Sequence, residues 1–228
     1  MNSKVQEPAG KSINLDVVSD VMCPWCYIGK RRLEKAISSL DDLQVNIRWR
    51  PFQLDPTLPA KGKDRRAYLE AKFGGPEKAK QIYANINEAG RNEGLDFNFD
   101  AIKVSSNTLD AHRIIRWASN EGTDVQNALV ERLFQLYFME GANIGNHQIL
   151  IDAAKDTGMD AAVVGALLTT SEDREAVLEE IAVAQQMGVT GVPCFIIENK
   201  YAVMGAQEPE HIAEALRQAV SADDQNSA

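Results

Sequence analysis

The sequence predicts an α/β fold in which one sheet of about four strands, with helices on both faces, is interrupted by a large helical insertion. Three observations carry this prediction. Residues 12–61 show a strand, a helix and a second strand, and residues 188–221 show two strands and a helix. Between these flanks, residues 62–187 have apolar side chains at helical spacing, which predicts an all-helical block. We therefore expect one discontinuous domain formed by the two flanks and a separate insertion domain.

The opening unit has the pattern of a β-α-β crossover. Residues 13–19 are predominantly apolar, residues 45–50 alternate strictly, and both segments are predicted strands; Pro51 ends the second. The helix between them is predicted from Pro24 to about Leu40, on the apolar spacing of Leu33, Ala36, Ile37 and Leu40. Two strands joined in this way should pair in parallel through a right-handed connection.

Capping residues divide the predicted insertion into helices. Residues 76–93 carry one apolar stripe. Two pairs at capping-box spacing predict helices to about residues 119 and 139, and two further side chains are predicted N-caps for the last helices, which end near residue 188. The capping pairs are Asn107 with Asp110 and Thr123 with Gln126, and the single caps are Asn146 and Ser171.

The closing unit returns to strand signals. Cys194–Ile197 and Tyr201–Met204 are short apolar runs around a predicted tight turn at residues 198–200. A helix is predicted from Pro209, with an apolar face formed by Ile212, Ala215, Leu216 and Ala219. Residues 222–228 are small, polar and acidic, and we expect this tail to be disordered.

Composition excludes several classes of function. The net charge of −9 is opposite to the basic patch that nucleic-acid binding requires. No run approaches the roughly 20 apolar residues of a membrane span. The first 20 residues contain no apolar block of a secretory signal, which predicts a cytoplasmic protein. Three cysteines in 228 residues do not form a disulfide scaffold, but a disulfide that cycles is compatible with the cytosol.

The segment Cys23-Pro24-Trp25-Cys26 carries the predicted chemistry. Cysteines three residues apart at the start of a helix can close a disulfide with little backbone movement. Pro24 suits the first helical position, so Cys23 is expected at or near the N-cap, exposed, where the helix dipole favours its thiolate. Cys26 lies one turn further in and is expected to be less accessible. These positions make Cys23 the predicted nucleophile and Cys26 the resolving thiol.

Zinc binding is the main alternative for a Cys-x-x-Cys motif. Zinc sites usually combine two such motifs, or one motif with a nearby pair of histidine or cysteine ligands. The three histidines here are scattered singly, and Cys194 is the only other cysteine. We therefore predict no metal site. Cys194 itself is predicted to be a small apolar residue in a buried strand, with a second active-site thiol as the alternative.

Three other residues near the motif have two possible roles each. Trp25 either forms an apolar rim for a peptide-like substrate, which we favour, or packs against the insertion. Asp20 either caps the turn into the helix, which we favour, or accepts a proton during exchange. His112 is expected to be a histidine at the core edge with satisfied hydrogen bonds, and a helper at the mouth of the redox cleft is the alternative.

Four motifs together resemble the thioredoxin fold of the DsbA family, and its FrnE-type branch most closely. They are residues 20–29 (DVMCPWCYIG), 50–54 (RPFQL), 107–112 (NTLDAH) and 190–193 (TGVP). The resemblance implies a thioredoxin-like fold and a thiol–disulfide oxidoreductase that acts as a disulfide reductase or isomerase. It also implies that the Val192-Pro193 bond is cis, that Pro193 lies against the active-site cysteines, and that the backbone of Val192 offers hydrogen bonds to an extended substrate. Pro24, Trp25, Val192 and Pro193 are thus the predicted substrate-binding residues.

The predicted partners are disulfide-containing or unfolded proteins, or small thiols. No cofactor is predicted, although glutathione is a candidate redox partner. Two alternative functions remain. One is a glutathione-dependent enzyme of the 2-hydroxychromene-2-carboxylate isomerase or kappa-class transferase type, which would have no use for the thiol of Cys26. The other is a non-catalytic chaperone or assembly factor in which the cysteines are idle.

Overall fold

A computed structural model describes residues 11–226 and contains six strands and nine helices within that range. In chain order the elements are β1 (Lys11–Ser19), α1 (Pro24–Ser38), β2 (Leu43–Pro51), β3 (Lys63–Asp64), α2 (Arg65–Phe73), α3 (Pro76–Asn92), β4 (Val104–Ser105), α4 (Leu109–Glu121), α5 (Thr123–Phe138), α6 (His147–Asp156), α7 (Ala161–Leu168), α8 (Arg174–Gln186), β5 (Cys194–Ile197), β6 (Tyr201–Met204) and α9 (Pro209–Asn226). Residues 1–10, half of the segment used to argue against a secretory signal, lie outside the described residues.

The two ends of the chain form one four-stranded sheet, as the sequence predicted. Its strand order is β2-β1-β5-β6, with β1 parallel to β2 and antiparallel to β5, and β5 antiparallel to β6. Val17 in the central strand β1 is level with Trp49 on one side and with Phe195 on the other. This arrangement brings the end of β1, where the Cys23 segment begins, beside the start of β5, where Val192 and Pro193 lie.

The insertion is mainly helical, but the prediction that it is entirely helical is wrong. Strands β3 and β4 pair in antiparallel register, with Asp64 level with Val104. Two-residue strands have no alternation that a sequence pattern could reveal, and this pair is set by contacts between distant segments. Residues 147–168 also form two helices, α6 and α7, because Asp160 caps a new helix by accepting hydrogen bonds from the amides of Ala162 and Val163 at 2.8 and 3.1 Å.

The predicted capping box at Thr123 and Gln126 is wrong. Helix α5 has Gly122 at its N-cap, and Thr123 is its first helical residue. The Gln126 side chain is buried and bonds both backbone groups of Trp49, accepting from its N–H at 3.0 Å and donating to its carbonyl at 3.2 Å. Because an unpaired buried amide would destabilise the fold, these buried hydrogen bonds to β2 contribute more to stability than a solvent-exposed cap would.

Of the other predicted caps, only Asn146 forms as expected, accepting from the amides of Gln148 and Ile149. Helix α4 has Thr108 at its N-cap, and the Asn107 side chain accepts from the Leu109 amide instead of pairing with Asp110. Helix α8 starts at Arg174, after Asp173 in the left-handed conformation, so Ser171 is not its cap. Both misses arise because the neighbouring polar side chains have partners far away in the sequence.

Helix α9 has the predicted apolar face, with Ile212, Leu216 and Ala219 buried and Ala215 partly buried. The helix continues to Asn226 and so includes most of residues 222–228, which we expected to be disordered. Residues 227–228 lie outside the described part. The division of the chain into domains at residues 62 and 187 remains a prediction.

Helix α1 joins the sheet to the insertion. Tyr27 stacks on Phe134 of α5 with ring centroids 4.8 Å apart, and its hydroxyl donates to Glu131 at 2.8 Å. Glu131 also pairs with the buried ammonium group of Lys30 at 3.0 Å. One face of α1 is therefore held by the insertion, and this contact fixes where the first turn of α1 points.

Candidate active site

The two cysteines of the motif occupy the first turn of α1. Cys23 is the N-cap, with φ −93° and ψ 114°, and Pro24 is the first helical residue. The Cys23 amide donates to the Asp20 carbonyl at 2.9 Å, and the Cys26 amide donates to the Cys23 carbonyl at 3.1 Å. Both cysteines are free thiols. The backbone between β1 and α1 therefore holds the dithiol at the place that the sequence predicted.

Cys23 is buried, which corrects the expectation that it is exposed. Only 4% of its surface is accessible, and its thiol donates to the Val192 carbonyl, with the sulfur 3.7 Å from the oxygen. An N-cap on a surface helix would be open to water, but here the loop before β5 lies over it. Trp25, which stands between the two cysteines in the sequence, is 39% exposed, and its role as a rim for substrate stays a prediction.

Cys26 is more deeply buried and is held as a thiol. Burial raises the pKa of Cys26 well above its usual range, and the hydrogen bond and charge of Cys23 raise it further. The Ser19 hydroxyl and the backbone at Asp20 lower this pKa in part. A thiol with a raised pKa is a poor nucleophile until a neighbour accepts its proton, so the two sulfurs are chemically unequal.

The Val192-Pro193 peptide bond is cis, as the family resemblance implied. The Pro193 carbonyl accepts from the Gly205 amide at 2.8 Å, which ties this loop to the end of β6. Pro193 also lies directly against Gly29 of α1: a Cβ atom at Gly29 would be 2.7 Å from the Pro193 Cγ atom. A side chain at residue 29 would push the loop away from the dithiol. The sequence analysis missed this role, although Gly29 stands in a quoted motif.

Asp20 has the capping role that we favoured. Its side chain is fully buried and accepts hydrogen bonds from the Met22 amide at 3.3 Å and from the Leu54 amide at 2.8 Å. It therefore fixes both the turn before Cys23 and the loop after β2. These two hydrogen bonds fix the position of the side chain.

His112 differs from the satisfied histidine that we expected at the core edge. It is 3% exposed, and its Nε2 atom has no hydrogen-bond partner among the described residues. The same atom lies 3.6 Å from a carboxylate oxygen of Asp20, which is too long for a hydrogen bond. The fold therefore brings His112 close to Asp20, the residue that holds the turn before Cys23.

Cys194 is a buried strand residue, as predicted. It is fully buried and packs with Val18, Phe52 and Ile196 in a cluster separate from the one that contains Cys23 and Cys26. Burial raises the pKa of Cys194 to about 11, so it is a thiol at neutral pH.

Two side chains of the insertion that the sequence did not single out also belong to the surroundings of the dithiol. Glu131 orients α1 through Tyr27 and Lys30. Tyr83 of α3 is close enough to Cys23 for the charge of Cys23 to raise its pKa, in addition to the larger effect of burial. No sequence signal marks either residue, because both positions depend on how the insertion packs on α1.

Within the described range, no group of three His, Cys, Asp or Glu side chains is arranged to hold a metal ion. No helix in that range combines the length and apolarity needed to cross a membrane.

Comparisons with known proteins extend these observations. The family model of the DSBA-like thioredoxin domain matches residues 14–217. The protein YwbO of Bacillus subtilis is 29% identical over 189 residues, which covers 82% of this chain and 87% of YwbO. The crystal structure of a probable DsbA oxidoreductase, SCO1869 from Streptomyces coelicolor, is 31% identical with a TM-score of 0.82, covering 92% of this chain and 90% of that chain.

A third solved structure is more distant. It is a 2-hydroxychromene-2-carboxylate isomerase, 16% identical with a TM-score of 0.68, and the match covers 94% of this chain and all of that chain (100%). At this identity the likeness concerns the fold alone.

Proposed function

The chain belongs to the DSBA-like thioredoxin domain family, and from this premise we propose that it is a thiol–disulfide oxidoreductase that reduces or isomerises disulfides through Cys23 and Cys26. One observation carries the proposal. Cys23 stands at the N-cap of α1 with its sulfur 3.7 Å from the Val192 carbonyl, while Cys26 lies one turn deeper and is kept protonated. The assignment to the FrnE-type branch and to the cytoplasm remains a prediction.

The first step uses the position of Cys23. Its thiolate, at the N-cap of α1, attacks one sulfur of a substrate disulfide. A bond forms between Cys23 and that sulfur, the substrate S–S bond breaks, and the other sulfur leaves as a thiolate that takes a proton from water. The product is a mixed disulfide.

The second step uses Cys26. Cys26 gives up its proton, which the departing substrate sulfur takes up, and attacks the Cys23 sulfur. The bond between Cys23 and the substrate breaks, two electrons pass to the substrate and a Cys23–Cys26 disulfide forms. Two glutathione molecules, or one protein dithiol, return the pair to the reduced state by the reverse exchange. Burial, which raises the pKa of Cys26, favours its thiol form, and while that form persists an incorrect disulfide can rearrange in the mixed disulfide.

Substrate recognition is proposed at the loop around Val192. The thiol of Cys23 leaves the Val192 carbonyl when it ionises, and that carbonyl can then accept from the amide of an extended peptide. Trp25 offers apolar surface next to it. Pro24 and Pro193 contribute shape, since neither has an N–H group that would need a partner.

Replacing one cysteine at a time tests the proposal. Cys23→Ser should abolish reduction of insulin and refolding of scrambled ribonuclease, whereas Cys26→Ser should accumulate mixed disulfides visible by mass spectrometry. Cys194→Ser is the matched control and should keep full activity, because Cys194 packs in a different cluster. Full activity in Cys23→Ser would overturn the assignment.

The resemblance of fold to the 2-hydroxychromene-2-carboxylate isomerase keeps one second function open to test, a glutathione-dependent isomerase or transferase. Such an enzyme needs a single thiol or hydroxyl to activate glutathione. Turnover of glutathione-dependent substrates that survives Cys26→Ser would support it, and its loss would favour the dithiol mechanism.

A further inference from the structure

The insertion contains a cavity of about 700 Å³ between α2, α3 and residues 97–103. Pockets of this size accommodate small organic molecules. It does not include Cys23 or Cys26, and none of the residues assigned to the redox steps lines it.

Arg65 is the unusual residue in the wall of this cavity. It is only 5% exposed, and its Nη2 atom is buried without a hydrogen-bond partner in the described residues. Its Nη1 atom donates to the Tyr137 hydroxyl at 3.2 Å, a contact with a neutral group. A buried guanidinium with an unused donor is costly to the fold, because the desolvation of that group is not offset.

Aromatic rings surround the same guanidinium. Its central carbon lies 5.0 Å from the ring centre of Tyr83 and 5.8 Å from that of Phe99, both of which line the cavity. The buried Asn87 Oδ1 atom, also in the wall, has no hydrogen-bond partner among the described residues either. The wall of the cavity therefore contains a guanidinium, an amide and two aromatic rings.

The charges around the cavity limit what that occupant can be. Arg66 is already paired with Glu70, and the Asp64 carboxylate caps α2 by accepting from the Ala67 amide at 2.9 Å. Overall the lining has four cations and three carboxylates: Arg65, Arg66, Lys80 and Lys103 against Asp64, Glu70 and Asp100. An excess of one positive charge suits a monoanion and disfavours a doubly charged phosphate.

We propose that this cavity binds a small monocarboxylate that carries an aromatic ring and a polar substituent, with the carboxylate paired to the Arg65 guanidinium and the ring beside Tyr83 and Phe99. An Arg–carboxylate contact in a partly enclosed site is a strong, charge-assisted hydrogen bond. The site shares Tyr83 with the surroundings of the dithiol, but its occupation does not depend on the redox function proposed above.

Calorimetry with three probes tests the ligand class. We expect 4-hydroxyphenylacetate to bind, and its neutral amide, 4-hydroxyphenylacetamide, to bind about 10- to 100-fold more weakly, the difference made by a hydrogen bond to a charged group. Inorganic phosphate should bind more weakly than the carboxylate. Equal binding of acid and amide, preference for phosphate, or no binding of the acid at millimolar concentration would overturn the proposal.

Variants locate the site. Arg65→Gln should weaken binding of 4-hydroxyphenylacetate by the same factor of about 10 to 100, and Arg91→Gln, on an exposed part of α3 outside the cavity, should leave it unchanged. If Arg65→Gln fails to fold, Ala84→Trp fills the cavity from its rim while keeping Arg65, and should abolish binding. Cys23→Ser should bind normally, so that loss of disulfide exchange and loss of ligand binding are separable. Unchanged affinity in Ala84→Trp would contradict the location.

Discussion

Two arginines are almost fully buried in the insertion, and their surroundings are opposite. Arg113 of α4 is 2% exposed and pairs with the Asp110 carboxylate at 2.9 Å. Its other nitrogens donate to three backbone carbonyls near the end of α7, those of Leu167, Thr170 and Glu172, at 2.7 to 3.0 Å. Arg65 of α2 is 5% exposed, forms no ion pair with a carboxylate in the described range, and leaves Nη2 without a partner.

This difference in hydrogen bonding indicates that Arg113 stabilises the folded chain, whereas Arg65 does not stabilise it to a comparable degree. Arg113 donates to carbonyls at and just after the end of α7, and its charge suits the negative end of the helix dipole. Arg65 does none of this and lies in the wall of an open cavity. A buried charge that does not stabilise the folded chain is most simply explained by an occupant that the chain alone does not contain.

The largest expected effect is at Arg113. Arg113→Met should lower the free energy of unfolding by about 3–5 kcal/mol, because it removes four hydrogen bonds made by one buried charged group, those to Asp110, Leu167, Thr170 and Glu172. Urea denaturation followed by circular dichroism measures this decrease.

Arg116→Met is the matched control on the same helix. Arg116 is 39% exposed and pairs with Asp173 and Glu180, contacts of a kind that contribute at most about 1 kcal/mol. Similar decreases in both variants would show that Arg113 does not have the structural role assigned to it.

The second prediction concerns Arg65 in the absence of ligand. Arg65→Met should change the free energy of unfolding by no more than about 1 kcal/mol, and a gain in stability is within the expectation, since replacing an unsatisfied buried charge by an apolar side chain removes its desolvation cost. The substitution removes one hydrogen bond to the Tyr137 hydroxyl and the packing of the guanidinium against the rings of Tyr83, Phe99 and Tyr137.

The same urea denaturation, run with and without 4-hydroxyphenylacetate, sharpens the comparison. The native chain should gain stability from the ligand by mass action, and Arg65→Met should not. A decrease of about 3 kcal/mol or more in Arg65→Met without ligand would place Arg65 in the same class as Arg113 and remove the contrast between them.

Local sequence signals identified the dithiol segment but not these arginines. Cys23 and Cys26 were placed correctly at a strand–helix junction, and the resemblance implied the cis bond at Pro193, because these features are carried by short contiguous motifs. The burial of Cys23 was missed, since it results from the Val192 loop 169 residues away in the chain.

In the sequence, Arg65 and Arg113 both occupy ordinary polar positions of helices, and only the three-dimensional packing distinguishes them. The same is true of Gln126, whose amide was assigned to a cap at its own helix but bonds the backbone of β2. Patterns of 3.6 and 2 residues report which side of an element is apolar. These patterns do not show which distant carbonyl or loop a buried polar side chain contacts. For Arg65, Arg113 and Gln126, that distant contact determines the role of the residue.

The smallest expected effect concerns pH and belongs to the Arg113 region alone. Burial by itself would raise the pKa of Asp110, but hydrogen bonds from His147 and Arg113 outweigh it and lower that pKa. A carboxyl whose pKa is lowered by folding stabilises the folded state above its unfolded pKa of about 3.9, and this contribution is lost as the pH falls through the folded pKa. Below the folded pKa the Asp110 carboxyl is neutral, and Arg113 loses its counterion. Arg65 has no carboxylate counterion in the described range at any pH.

Asp110→Asn should therefore lower the free energy of unfolding at pH 7 by up to about 1 kcal/mol, the range of partly exposed ion pairs. The difference in stability between the variant and the native chain should narrow as the pH falls below about 3.9. Thermal unfolding between about pH 2.5 and 7 measures it, with Glu88→Gln on an exposed position of α3 as the background. A difference in stability that stays constant across this pH range would mean that Asp110 contributes through packing and not through its charge. The presence or absence of a counterion would then not explain how Arg113 differs from Arg65. A gap that narrows would show that Arg113 is held by its counterion, the one group that the surroundings of Arg65 do not provide.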